Sequence, residues 1–200
     1  MKFKTILLFG APGSGKGTQG DILGNIPGWI HISTGEIFRD LPVGSPLGRL
    51  FLEYSGRGSL VPDDFTVQLW KEYVDGLVSL GQYDVKTDLL ILDGIPRNVA
   101  QARLMDEYID VRRIYYLDTA DKELMYRRLK HRALHENRLD DASDATIQNR
   151  LYVYEAQTAP VLNYYAADKI KRIDTGRTPI EVLADILLDA KEFVVRLPHA

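Results

Sequence analysis

The stretch GAPGSGKGTQG, residues 10–20, gathers five glycines around one lysine, Lys16. It follows KTILLF, a short apolar run of strand type. A backbone that wraps an anion must turn several N–H groups inward and come close to it, and glycines allow both. A helix that follows adds its free N-terminal N–H groups and the positive end of its dipole. Lys16 adds a point charge. A plain glycine turn between strand and helix explains one or two of these glycines, but not the pattern G-x-x-G-x-G-K. The chemistry implied is phosphate binding. The strict form of the pattern places Ser or Thr directly after the lysine, as a magnesium ligand. Here Gly17 takes that place and Thr18 comes one residue later. Magnesium would then ride mainly on phosphates and waters, as this ion readily does. Asp93, ending the apolar run LLILD, is the carboxylate placed to hold one of those waters.

Arginines are the second chemical signal. Arg39, Arg97, Arg128, Arg132, Arg138 and Arg150 lie in or beside the stretches that interrupt an otherwise regular chain. Arg128 and Arg132 are four apart and share a helix face. Alone, RRLKHR reads as a solvated helix face. An RNA-binding patch is disfavoured by the net charge of −3 and the lack of interleaved aromatics. Beside a phosphate-binding loop, arginines become clamps for the spreading charge of a phosphoryl group in transfer. No catalytic base stands out, which suits an acceptor that is already ionised near neutral pH, such as a phosphate. His31 lies on a strand and reads as core or strand-end. His131 and His135 have metal-like spacing, but without cysteine or a third obvious ligand a solvated segment is the better home. Trp29, Trp70 and tyrosines 152, 154, 164 and 165 read as packing residues.

The elements that would position these groups alternate. Strands are predicted at 3–9, 29–33, 89–93, 112–118 and 169–174, with helices between them. Thr178-Pro179-Ile180-Glu181 is a capping box opening the last helix. A long helix from Ser143 should bend or break near Pro160. Five short apolar strands between helices imply an α/β fold: a five-stranded parallel sheet in three layers, covered by helices on both faces. Two stretches break the alternation, 34–62 and 132–141, and both are candidate mobile flaps. The chain thus reads as one domain over 1–200, with a core of 1–33, 63–131 and 142–200. The composition, 45% hydrophobic and 26% charged, is ordinary for a globular protein, and the absence of cysteine excludes disulfides and thiolate-bound metal. No stretch approaches a membrane span, and a cytoplasmic monomer is the expectation, without nucleic-acid or membrane partners.

With GAPGSGKGTQ, HISTGEIFR, LVPDD and LDGIPRNVAQA in place, the chain resembles the adenylate kinase family of nucleoside monophosphate kinases, in its short-lid form. Motif order and spacing are kept from about residue 5 to 185. The late threonine of the loop is that family's own variant. The resemblance implies the P-loop kinase fold, with 34–62 as a small helical flap for the nucleoside monophosphate and 132–141 as a short lid. It implies ATP on Gly13, Ser14, Gly15, Lys16, Gly17 and Thr18, with Arg128, Arg132 and the main chain of Arg177. It implies AMP near Thr34, Gly35, Arg39, the backbone of Ser59, Leu60 and Val61, and Gly94, Ile95, Pro96 and Arg97, with Gln101 on the base. Arg138 and Arg150 match arginines bridging the phosphoryl group in transfer. Lys16, Arg97, Arg128, Arg138 and Arg150 would be the catalytic set, with Mg2+ as cofactor and no zinc.

The expected reaction is ATP + AMP giving two ADP, reversibly. Ile95 stands where the family usually has an aromatic residue, and Asn98 resembles the pyrimidine-nucleotide branch. A UMP/CMP kinase is therefore the nearest alternative. A GTP- or ATP-dependent switch or binding module is the alternative of another class. A GTP switch would want an N-K-x-D motif, and none occurs.

Overall fold

In the computed structural model, the described residues are 1–135 and 143–191. Five strands form one sheet: β1 (Phe3–Phe9), β2 (Trp29–Ser33), β3 (Leu89–Asp93), β4 (Ile109–Asp118) and β5 (Ile170–Asp174). Their order is β2-β3-β1-β4-β5, and every pairing is parallel. β1 is central and apolar on both sides because helices cover both faces. Phe3, Leu7 and Phe9 enter one core with Leu90, Leu92 and Trp70. Ile6 and Leu8 enter the other with Ile91, Leu23 and Ile186. This is the two-residue side-chain period of a strand buried on both faces. Trp29 and Trp70 are both core residues, and His31 is a half-buried strand residue whose Nδ1 lies 3.3 Å from Asp21.

The helices are α1 (Lys16–Leu23), α2 (Thr34–Arg39), α3 (Pro46–Gly56), α4 (Asp63–Ser79), α5 (Val99–Met105), α6 (Lys122–His135), α7 (Asp144–Val153) and α8 (Pro179–Ala190). The capping box at Thr178 and Glu181 is present with both hydrogen bonds. No helix among the described residues is long and apolar enough to cross a membrane.

Three expectations need correction. β4 starts at Ile109, not Arg112: Ile109 and Val111 are buried, while Asp110 and the arginine pair mask the strand pattern in sequence. The helix from Ser143 departs from α geometry at Tyr154, ahead of Pro160, through a π-helical turn (Tyr154–Thr158) and a 3-10 segment (Ala159–Tyr164). Tyr152 is solvent-exposed, whereas Tyr154 is buried.

Chain connections cross from one side of β1 to the other after β3. In open parallel sheets, ligands bind outside the strand carboxyl ends where the connections diverge in this way. The carboxyl ends of β1, β2 and β3 lie side by side, with Leu8 and Ser33 both in register with Asp93.

Candidate active site

The loop between β1 and α1 carries out the close approach that its glycines predict. Gly13 has φ +83, and a Cβ there would stand 2.8 Å from the carbonyl oxygen of Met125 in α6. The loop is thus pressed against α6 in a conformation that other residues rarely adopt. Gly15 caps α1 in the left-handed region. Lys16 folds back so that Nζ donates to the carbonyl oxygens of Gly10 (2.8 Å) and Ala11 (3.1 Å). Burial pushes its pKa down to about 8; Asp93 opposes the shift, and Arg97, Arg132 and Arg150 reinforce it. The side chain of Ser14 is buried with no hydrogen-bond partner for Oγ, and the same holds for Thr34 at the start of α2. Buried orphan hydroxyls call for a ligand or water partner.

One cleft of about 960 Å3 runs from this loop to the flap. Gly13, Ser14, Gly15, Lys16, Gly17 and Thr18 line one end, with Arg128, Arg132 and Arg177. Thr34, Gly35, Arg39, Ser59, Leu60 and Val61 line the other. Asp93, Gly94, Ile95, Pro96, Arg97, Gln101 and Arg150 lie along the same cleft. Arg138 lies outside the described residues. The lid stretch 132–141 is likewise described only through residue 135, and His131 lines the cleft.

Local contacts aim several of these groups. Arg97 Nε donates to the Gly94 carbonyl at 2.8 Å, and a Cβ on Gly94 would meet the same guanidinium at 3.1 Å. Arg39 lies over Gly35 in the same manner. An Arg128 guanidinium N–H donates to the Thr175 carbonyl at 3.0 Å, tying α6 to the end of β5. Arg177 lines the cleft and turns its side chain to Asp185. Asp93 ends β3 facing Gly17, where a Cβ would come only within 4.0 Å of its carboxylate. Among the described residues no cluster of three or more His, Cys, Asp or Glu side chains could hold a metal.

The flap is seated on α7. Asn149 Nδ2 donates to the Arg57 carbonyl at 2.6 Å, and Thr146 Oγ1 reaches the Gly56 carbonyl at 3.4 Å. Carbonyls at the end of α3 thus receive the partners a helix terminus lacks. A Cβ on Gly58 would stand 2.9 Å from Arg150 Cγ, so the backbone just after α3 lies directly against that arginine.

Sequence reasoning missed three contributors. Asp63 reads only as an acidic helix start, yet its Oδ1 accepts from Gln101 Nε2 (2.8 Å) and Asn98 Nδ2 (2.7 Å). Thr158, on the π-helical turn, donates to the Arg97 carbonyl at 2.8 Å. Phe38 and Phe51 stack with ring centroids 5.2 Å apart on the flap wall. Only the phenylalanines carried a sequence signal, as apolar residues on flap helices.

A central-strand glycine loop opening a helix, and a cleft crossed by arginines at the sheet's carboxyl edge, define a P-loop phosphotransferase. The model of the family described as "Adenylate kinase" matches residues 8–170. An adenylate kinase of Leuconostoc mesenteroides is 37% identical, the match covering 97% of this chain and 98% of the relative. One from Xanthomonas euvesicatoria is 40% identical over 90% and 96%, and one from Thermus thermophilus 35% over 92% and 95%. The chain belongs to the adenylate kinase family.

Proposed function

We propose that this chain transfers the γ-phosphoryl group of ATP reversibly to AMP, giving two ADP, with magnesium. The observation carrying the reading is the single cleft that joins the phosphate loop to the flap, with Arg97, Arg128, Arg132 and Arg150 along it. ATP takes the loop of Gly13 to Thr18, and AMP lies between Thr34, Arg39, Arg97 and Gln101. Lys16 and the arginines stabilise charge on the phosphoryl group, and Arg138 joins them from the lid. No base is required, because an acceptor phosphate is already ionised. Water is excluded when flap and lid close, which protects the phosphoryl group from hydrolysis.

Magnesium fits the donors present. Asp93 offers one hard oxygen ligand across a gap that Gly17 leaves open, room for a carboxylate to hold an ion through water. When bound, the ion neutralises charge on the ATP phosphates. The working form is a cytoplasmic monomer acting on ATP, AMP and ADP.

One assay plate tests the reading, with ATP and magnesium fixed and AMP, CMP, UMP and GMP compared. We expect kcat/KM for AMP to exceed the others by at least roughly tenfold, about 1.4 kcal/mol in the transition state. Preference for CMP or UMP would overturn the adenylate reading, and no turnover with any acceptor would overturn the kinase reading. Exhaustive zinc removal should leave the rate unchanged while magnesium is supplied.

A further inference from the structure

The Gln101 side chain is buried, and both ends of its amide are already engaged. Oε1 accepts from the Arg97 backbone N–H at 2.7 Å, and Nε2 donates to Asp63 Oδ1 at 2.8 Å. Asn98 completes the arrangement. Its Oδ1 caps α5 by accepting from the Gln101 N–H at 2.8 Å, and its Nδ2 donates to the same Asp63 oxygen at 2.7 Å. Asp63 stands in the first turn of α4, 38 residues from Gln101 in the chain.

This ring fixes which way the amide points. Reversing it would set Nε2 against the Arg97 N–H, donor against donor. It would also set Oε1 against the Asp63 carboxylate, acceptor against anion. Both replacements lose a hydrogen bond in a buried place, where unpaired polar groups are most penalised. Each amide atom keeps one bonding valence, a second N–H on Nε2 and a second lone pair on Oε1, and Gln101 lines the cleft.

We propose that Asp63 is a positioning residue for base selection. By locking the Gln101 amide it admits bases that present an amino donor beside a ring-nitrogen acceptor, and rejects those that present a carbonyl beside a ring N–H. Adenine and cytosine belong to the first group, guanine and uracil to the second. Asn98 serves the same lock by holding the carboxylate in place. The inference rests on the acceptor site assigned under the proposed function, and it leaves the choice between adenine and cytosine to the width of the pocket.

The test compares kcat/KM for the four monophosphates in the wild type, Asp63→Ala, Gln101→Ala and the double variant. Asp63→Ala should narrow the preference for amino-bearing over carbonyl-bearing bases by about tenfold, the scale of one charge-assisted hydrogen bond. In the Gln101→Ala background the same change should move that ratio by less than about twofold, because its effect passes through Gln101. A uniform loss across all four acceptors would overturn the proposal, since a merely structural role gives that result. So would a narrowing that persists without Gln101. If Asp63→Ala does not fold, the side-chain amide protons of Gln101 in the ligand-free wild type decide. An Nε2 proton that exchanges with solvent at least roughly tenfold more slowly than that of an exposed glutamine supports the lock, and exchange at the exposed rate overturns it. That measurement holds even if the wild type phosphorylates none of the acceptors, which would sink the kinase reading alone.

Discussion

Replacing Lys16 by Met should stabilise the ligand-free protein while nearly abolishing turnover. Burial pushes the ammonium from 10.5 down to about 8, with Arg97, Arg132 and Arg150 adding to the effect. Each pKa unit corresponds to about 1.4 kcal/mol, so the charged form carries a penalty of about 3 kcal/mol in the folded state. Met removes that penalty and keeps much of the side-chain volume. It also removes the donors to the Gly10 and Ala11 carbonyls, a loss of about 1 kcal/mol each. The balance is a gain of about 1 kcal/mol at pH 7, or about 2–4 °C in Tm for a chain of this size.

The sign follows from proton binding. Between pH 8 and 10.5 the unfolded chain holds the Lys16 proton more often than the folded one, so wild-type stability rises with pH across that window. The advantage of Lys16→Met is therefore full below pH 8 and shrinks above it. Buried Tyr83 and Tyr154 have raised pKa values and pull the other way only above about pH 10. Paired melts at pH 7 and 9.5 isolate the lysine, and ATP–AMP turnover should fall by roughly 100-fold or more. A lower ligand-free Tm at pH 7 would refute the desolvation argument, and a near-normal kcat would refute the phosphate-loop mechanism.

Three other outcomes are expected. In the wild type, kcat/KM for ATP should fall as pH rises through about 8, because the free enzyme loses the Lys16 charge, while kcat holds to higher pH, because bound phosphate retains the proton; parallel profiles would contradict this. Asn149→Ala removes the hydrogen bond to the Arg57 carbonyl, so the KM for AMP should rise about fivefold with the KM for ATP unchanged, and exchange of amides 46–58 should quicken. A two-headed ATP–AMP mimic should compact the protein in solution scattering and protect 34–62 and 132–141 from hydrogen exchange, an effect disproved by unchanged exchange at saturation.

What was legible in the chain was local. The glycine loop, the capping box at Thr178 and the buried strands are written in neighbouring residues, and β2 and β3 begin and end where the apolar runs do. The cleft brings together every site residue expected from the sequence that falls within the described residues. What was hidden depends on partners far apart in sequence. Asp63 carries an ordinary helix-start signal, and only its contact with Gln101 and Asn98 across the fold gives it a role. Asn98 looked like a marker of the pyrimidine branch; in the structure it caps α5 and holds Asp63. Pro160 announced a break, but a proline fixes only its own neighbourhood and gives no sign of a π-helical turn ahead of it. Tyr152 and Tyr154 differ in burial because residues two apart on a helix face opposite sides.

The cleft is assembled with demands that folding alone leaves unmet. Burial lowers the pKa of Lys16, one carboxylate opposes the shift and three arginines reinforce it. Ser14 and Thr34 bury hydroxyls without partners along the same cleft. Each of these is unfavourable in the free protein and becomes favourable when phosphate oxygens arrive, since an anion satisfies cation and hydroxyl together. On the proposed function, this binding energy draws the flap and lid inward, and the cationic groups stabilise a phosphoryl group shared between donor and acceptor. Lys16 bears a burial penalty in the free protein, and this is the physical reason that removing it should raise stability and remove activity in one step.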